Sequence, residues 1–405
     1  MRHSQCTLKA SAVHAYARHL LQQTLELESF RPALPLPLVA TVLLLAACWQ
    51  TSLTGACQLV NDPPSHRQVR DALSACLPPR PRDLLARLLR TLRQTLPDHL
   101  AAWPRVLAID LHQRPYYGKK TTRGCTLRQK KAGTRKSFTY ATLAVLDRGG
   151  RFTVGLLPVR PTMRLTTIVG RLLGQADEAG VTAAYLMMDK DFYCAEVFAL
   201  LQRRGVPFLV PAVKRGSKPG RGNQHLFRAD CPVGWHDYTW TTQRRRWDFA
   251  AGKRRKRGSV TVAVRMCVAR QARAGQEKVL VYAAWGLQEA RWSPAQVVGA
   301  YRRRFGIEAQ YRQLGQCLAR TSSRDERLRL LLVGLALLLA NVWAQVHEGA
   351  FSGGPVGERQ LRLGRLRLAT LLAALAAVIA EQLGGWVSEW PTQRPLPDKL
   401  KPFQT

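Results

Sequence analysis

Residues 185–193 read Tyr-Leu-Met-Met-Asp-Lys-Asp-Phe-Tyr. The run from Tyr185 to Met188 is short, apolar and closed by Asp189, which is the pattern of a buried strand ending in a carboxylate. Upstream, Val-Leu-Ala-Ile-Asp-Leu-His at 106–112 repeats that form, with Val106–Asp110 as the strand and Asp110 at its end. Ser137–Leu146 and Phe152–Val159 are β-rich and flank a turn at Asp147–Gly150. Arg164–Ala179 has a helical pattern. Tyr193–Arg204 reads as a second helix closed by Gly205, and Phe208–Val213 as a further strand. Three strands, then helix, strand, helix and strand, predict an α/β fold with a mixed sheet.

Two apolar strands that both end in acids bring negative charge to one edge of a sheet, where α/β proteins commonly bind ligands. Carboxylates held close together repel and attract a cation. Asp110 and Asp189 therefore read as seats for Mg2+, a hard cation that takes oxygen ligands. Each Asp taken singly is also an ordinary strand-end residue.

The rest of the chain is unusually basic. Its 405 residues include 62 Lys and Arg against 26 Asp and Glu, a formal charge of +36. With 46% hydrophobic residues it has material for a real core. Such a charge points to a polyanionic partner, with nucleic acid ahead of an anionic membrane surface. The nine Cys are scattered, with no C-x-x-C or zinc-like spacing, which argues for a reducing compartment. No early apolar segment suggests a secretory signal. The apolar runs Leu36–Trp49, Leu330–Ala340 and Leu368–Ala380 are shorter than the roughly 20 residues that span a bilayer, and read as buried helices.

Charge clusters divide the chain further. Arg114–Lys136 carries nine Lys and Arg and no acid, including Lys119 and Lys120, and reads as a loop beside Asp110. Residues 214–257 hold thirteen Lys and Arg, among them Arg244-Arg245-Arg246 and the run Lys253–Arg257. With strand-like segments at Val260–Val268 and Lys278–Ala284, residues 214–288 read as a β-rich insertion outside the central sheet. Trp240 and Trp247 either stack on an unpaired base or pack under this insertion. Residues 1–100 are helical, around Val69–Cys76 and Asp83–Thr95, and form either a DNA-binding unit or a cap. Residues 101–213 with 289–346 form the α/β unit, and 347–405 a helical C-terminal region.

A capping box, Ser293-Pro294-Ala295-Gln296, opens a helix whose texture continues to Val346. At about 100° per residue, Tyr301, Arg304, Glu308 and Arg312 share a sector of about 80°. An acid set among guanidiniums is commonly a solvated ion-pair stripe. Here a phenol shares the stripe, and two other acids lack a third.

These residues resemble those of the DDE transposases of prokaryotic insertion sequences, in the group with a ribonuclease H-like fold and a β-rich insertion. Its signature Y-x2-R-x3-E-x6-K is matched by Tyr301, Arg304 and Glu308, while the Lys place is Gly315. Arg312, one turn earlier, is a candidate substitute. The motif D-R-[GE]-F-[YF] corresponds to Asp189-Lys190-Asp191-Phe192-Tyr193, and the first motif to Asp110 followed by Tyr116-Tyr117-Gly118. The resemblance implies catalytic, metal-binding Asp110, Asp189 and Glu308, with Asp110 bridging two Mg2+ ions (Mn2+ as a substitute). It implies transposon-end contacts from Tyr301, Arg304 and Arg312, with Lys119, Lys120 and Arg244–Arg246 on DNA. It also implies an active homodimer without membrane association, in a prokaryotic cytoplasm and nucleoid-associated when bound. The alternatives are a ribonuclease H-like nuclease and an inactive or co-opted DNA binder, the latter suggested by Gly315.

Overall fold

A computed structural model describes residues 7–25, 34–119, 122–131, 133–146, 151–216, 222–248, 253–273, 276–304, 313–355, 359 and 361–389. Five helices come first: α1 (Ala10–Leu25), α2 (Leu36–Cys48), α3 (Leu53–Gln58), α4 (His66–Cys76) and α5 (Pro81–Gln94). Strands β1 (Arg105–Pro115), β2 (Thr126–Lys131), β3 (Thr134–Leu146) and β4 (Arg151–Val159) follow. Next come α6 (Leu165–Glu178), β5 (Ala183–Met187), α7 (Ala195–Arg203) and β6 (Phe208–Pro211). The order ends with β7 (Gly234–Asp248), β8 (Lys253–Arg273), β9 (Gln276–Trp285), α8 (Pro294–Arg303), α9 (Glu326–Val346) and α10 (Leu368–Gln382). The expected turn at 147–150 lies outside the described residues.

One mixed sheet organises the strands in the order β2-β3-β1-β5-β6-β9-β8-β7, with β4 also paired to β3. β1, β5 and β6 run parallel, so their C-terminal ends share an edge. Side chains alternate across the sheet. Leu107 and Ile109 share a core with α6 and α7, whereas Ala108 shares one with Val297, Val298 and Ala300 of α8. By that alternation Asp110 lies on the α8 side.

The β-rich stretch departs from the sequence expectation. β9 pairs antiparallel with β6, matching Phe208 with Trp285 and Pro211 with Tyr282, and β8 and β7 extend the same sheet. Residues 214–288 thus continue the central sheet, because β6 would otherwise present an open edge. Arg114–Lys136 is also more ordered than a loop. β1 runs to Pro115, and β2 pairs with β3 through a hydroxyl network in which Thr126 contacts Ser137 and Thr139. Basic residues suit this outer strand, since charge discourages further pairing. The helical texture from Pro294 is interrupted as well. α8 ends at Arg303, residues 318–325 are not helical, and Asp325 caps a new helix at Arg327 N.

The N-terminal helices pack with α9 and α10 around one core, forming a helical body against the sheet. These helices thus pack on the α/β unit. α9, with its continuation to Phe351, is long and apolar enough to cross a membrane by length and composition, and most of its apolar stretch is buried inside the fold. Asn341 of α9 docks it on β4: its amide donates to Thr153 O (3.0 Å) and Thr95 Oγ1 (2.9 Å) and accepts from Thr153 N (2.9 Å). Gln175 of α6 treats Leu156 likewise, accepting from its N–H at 2.9 Å and donating to its carbonyl at 3.0 Å. Both amides satisfy main-chain groups that the outer edge of β4 would leave buried and unpaired. The body is closed by a short antiparallel seam. Asn61 N donates to Gly385 O (3.1 Å), Asp62 N to Leu383 O (2.9 Å) and Val387 N to Leu59 O (3.0 Å). Gly384 (φ +79°) is needed here, since a Cβ would lie 2.2 Å from Asp62 Oδ2.

Candidate active site

Asp110 ends the apolar part of β1 and is only 9% exposed. Its Oδ1 accepts from Leu111 N at 2.8 Å. Asp189 lies two residues past the end of β5 and caps the 3-10 turn Lys190–Phe192, its Oδ1 accepting from Asp191 N at 2.9 Å. Because β1 and β5 are adjacent and parallel, the two acids emerge together.

A single guanidinium links them. Arg304 Nη2 stands 3.2 Å from Asp110 Oδ1 and 3.9 Å from Asp189 Oδ2. Arg304 is 6% exposed, and its buried Nε has no hydrogen-bond partner among the described residues. Burial pushes the Asp189 carboxyl up from its ordinary value; Arg304 pulls it back, and the neighbouring Asp191 charge pushes it up again. At Asp189 the Arg304 charge thus opposes, without cancelling, the cost of burying a carboxylate.

α8 brings that group in. Ser293 and Gln296 form the reciprocal capping box that starts the helix, with Ser293 Oγ accepting from Gln296 N at 3.3 Å and Gln296 Oε1 from Ser293 N at 2.7 Å. Val297, Val298 and Ala300 bury its face on the sheet. Tyr301, 8% exposed, donates its hydroxyl to Met188 O at 3.2 Å, one residue before Asp189, and its ring centroid lies 5.1 Å from that of Tyr282. Burial pushes the Tyr301 phenol up, so it stays a donor.

Tyr301 and Arg304 therefore sit differently from the phosphate-facing stripe expected of them. The helical wheel specifies their shared sector but not which side of α8 meets the sheet. Here Tyr301 holds the helix to the end of β5, and Arg304 neutralises the acids. Glu308, Arg312 and Lys120 lie outside the described residues. Lys119 is exposed in the turn after β1. Arg244, Arg245 and Arg246 belong to β7, away from the acid edge along the sheet order, with Arg245 in register with Lys256 and Arg246 with Arg255. Trp240 takes the packing alternative. Its ring stacks on Tyr193 at 5.1 Å with an interplanar angle of 19°. Sequence reasoning missed Arg215 and Asn223, which also hold Tyr193; neither carries a motif, and the aromatic pair Phe192-Tyr193 was the sole local signal.

Among the described residues no three His, Cys, Asp or Glu side chains converge as a metal cluster. The two carboxylates nevertheless fit a hard divalent cation. Both are oxygen donors, and one guanidinium nitrogen lies within 4 Å of each, so a positive charge can sit beside both.

Residues 104–342 match a family model described as a transposase DDE domain. A search of the curated proteins returned no match. Among solved structures, the chain is similar to a piggyBac transposase determined by cryo-electron microscopy as a synaptic complex with hairpin DNA. The likeness covers 95% of this chain and 82% of that one, with a TM-score of 0.56 and 11% identity, and is a likeness of fold.

Proposed function

The chain belongs to the transposase DDE domain family and is a DNA transposase; from that premise we propose that Asp110, Asp189 and Glu308 are its catalytic acids. The observation that carries this reading is the sharing of Arg304 by two carboxylates at the ends of adjacent parallel strands. A pair of divalent ions bound there supplies activation of the attacking hydroxyl and stabilisation of the leaving oxygen. We assign Mg2+, with Mn2+ as a substitute, because the donor set is carboxylate oxygen.

The chain's own residues do the rest. Asp110 and Asp189 would hold the ions at the sheet edge, and Glu308, four residues after Arg304 in the sequence, would complete the acid set. Tyr301 fixes α8 on the carbonyl beside Asp189. Arg304, beside both acids, would bind a substrate phosphate through its planar fork. Lys119, Lys120, Arg312 and Arg244–Arg246 supply sequence-independent DNA contacts. The register that sets Arg245 opposite Lys256 and Arg246 opposite Arg255 gathers basic residues at this end of the β7–β8 pair, which supports that role. We further infer a prokaryotic insertion-sequence origin from the Tyr301–Arg304–Glu308 spacing. A homodimer in a reducing cytoplasm is proposed from the same resemblance and from cysteines scattered without a disulfide-like spacing.

The test is Mg2+-dependent cleavage and end joining on duplexes carrying the inverted repeats that flank the coding region. Asp110→Asn, Asp189→Asn and Glu308→Gln should abolish both steps while leaving DNA affinity intact. If all three variants cleave normally, the assignment fails. Metal-dependent cutting without joining would identify a nuclease, and metal-independent binding without cutting a co-opted binder. Gly315, in the Lys place of the signature, is what suggests that last reading.

A further inference from the structure

Asp189 reaches the acid edge on the short 3-10 turn that it caps. The turn is closed by Phe192 N to Asp189 O and Tyr193 N to Lys190 O, both 3.1 Å, and anchored by the buried rings of Phe192 and Tyr193. Tyr193 is held from outside. Trp240 of β7 stacks on its ring. The Arg215 guanidinium carbon lies 4.7 Å from the Trp240 ring centroid and 5.5 Å from that of Tyr193, and Arg215 Nη2 donates to Tyr193 O at 2.9 Å. Asn223, fully buried, donates to Tyr193 Oη and to Val213 O, each at 3.0 Å, and accepts from Arg215 N at 2.8 Å.

This node is built. Asn223 N also donates to Arg215 O at 3.2 Å, closing a loop whose two ends carry the two polar members. Gly222 (φ +83°) permits that closure, since a Cβ there would lie 2.2 Å from Arg215 O. Every member comes from the segment between β6 and β8, whereas the residue it grips is four positions after Asp189.

We infer that Arg215, Trp240 and Asn223 are positioning residues for Asp189: they clamp Tyr193 and so set the direction of the Asp189 carboxylate toward its cation. The inference rests on the metal-binding role proposed for Asp189. Carboxylate ligands depend on the groups that orient them, and loss of such support typically costs about 10–100-fold in metal affinity. The arrangement also gives the β7 strand a second duty. It carries Trp240 on the acid turn and Arg244–Arg246 four to six residues farther on.

The experiment measures Mn2+ binding to the full-length chain without DNA, by electron paramagnetic resonance, alongside the thermal midpoint of the metal-free protein. Arg215→Ala removes an exposed side chain and leaves the core intact. It should weaken Mn2+ binding by about 10-fold at an unchanged midpoint. Trp240→Ala should do the same or more, and Trp240→Phe, which keeps a stacking ring, should restore affinity to within about 2-fold of the parent. Wild-type Mn2+ affinity in Arg215→Ala would overturn the clamp, even if Trp240→Ala failed to fold. Asp189→Asn separates the two readings. If it alone abolishes Mn2+ binding, the metal site stands and the clamp falls; if it binds Mn2+ as the parent does, the metal-site reading itself fails.

Discussion

Two buried polar sites in this molecule are built on opposite terms. Asn341, under β4, is neutral and satisfied on both sides of its amide by Thr153 and Thr95. Asp110 and Asp189, at the far edge of the sheet, are two acids that share the Arg304 guanidinium, whose own Nε has no hydrogen-bond partner among the described residues. The first site completes an internal network and asks nothing of a ligand. The second holds like charges together in a desolvated place, which weakens the fold unless a cation joins it. The contrast separates a polar group kept for architecture from one kept for chemistry.

The sharpest break comes from Asp110→Asn and Asp189→Asn. Each should lower Mg2+-dependent cleavage by about 10²–10³-fold or more, read on an end-bearing duplex, with no loss of thermal stability. Asn341→Leu should do the reverse. It strands the Thr153 main-chain groups and costs about 2–3 kcal/mol in denaturant unfolding, while the folded fraction cleaves normally. Arg304→Met tests the dependence of the acid edge on a positive charge. The metal-free protein should lose about 2 kcal/mol, and added Mg2+ should recover it. A loss that Mg2+ does not recover would place the arginine with Asn341, as architecture.

The smallest effect comes from His347, in the π-helical turn after α9. Its Nδ1 accepts from Arg362 N at 3.2 Å, so Nε2 carries the proton and donates to Leu366 O at 2.7 Å. Burial holds its pKa below the ordinary 6.5. The unfolded chain then takes up the proton first as pH falls. Stability from this group is complete above about pH 6.5 and declines toward the lower folded-state value, with a slope of at most about 1.4 kcal/mol per pH unit. Thermal midpoints recorded between pH 7 and 5 should show the decline, and His347→Gln should flatten it.

Much of the acid edge was legible because it is written locally. Apolar runs that stop at Asp110 and Asp189 announce strand ends, and the pattern Ser293–Gln296 announces a helix start. The mixed α/β sheet follows from the order of such runs, whereas its ribonuclease H-like type came from the family resemblance. What was not legible depends on pairing at a distance. Nothing within Gln276–Trp285 specifies that it must lie against Phe208–Pro211, so the basic hairpin looked separable from the sheet. The edge strand at Thr126–Lys131 was hidden by charge, because Lys and Arg interrupt its alternation. The inward placement of Arg304 depends on which face of α8 docks, a choice made by Val297, Val298 and Ala300 together with the sheet beneath them.

The seam between Leu59–Asp62 and Leu383–Val387 has a consequence for biosynthesis. It joins segments more than 320 positions apart, and α2, almost wholly apolar, shares its core with α10 beyond that gap. While the ribosome is still making the middle of the chain, the greasy surface of α2 has no complete home. The seam and this shared core can close only once the chain through Val387 has emerged, so the body is assembled from contacts of long sequence separation, which slow folding.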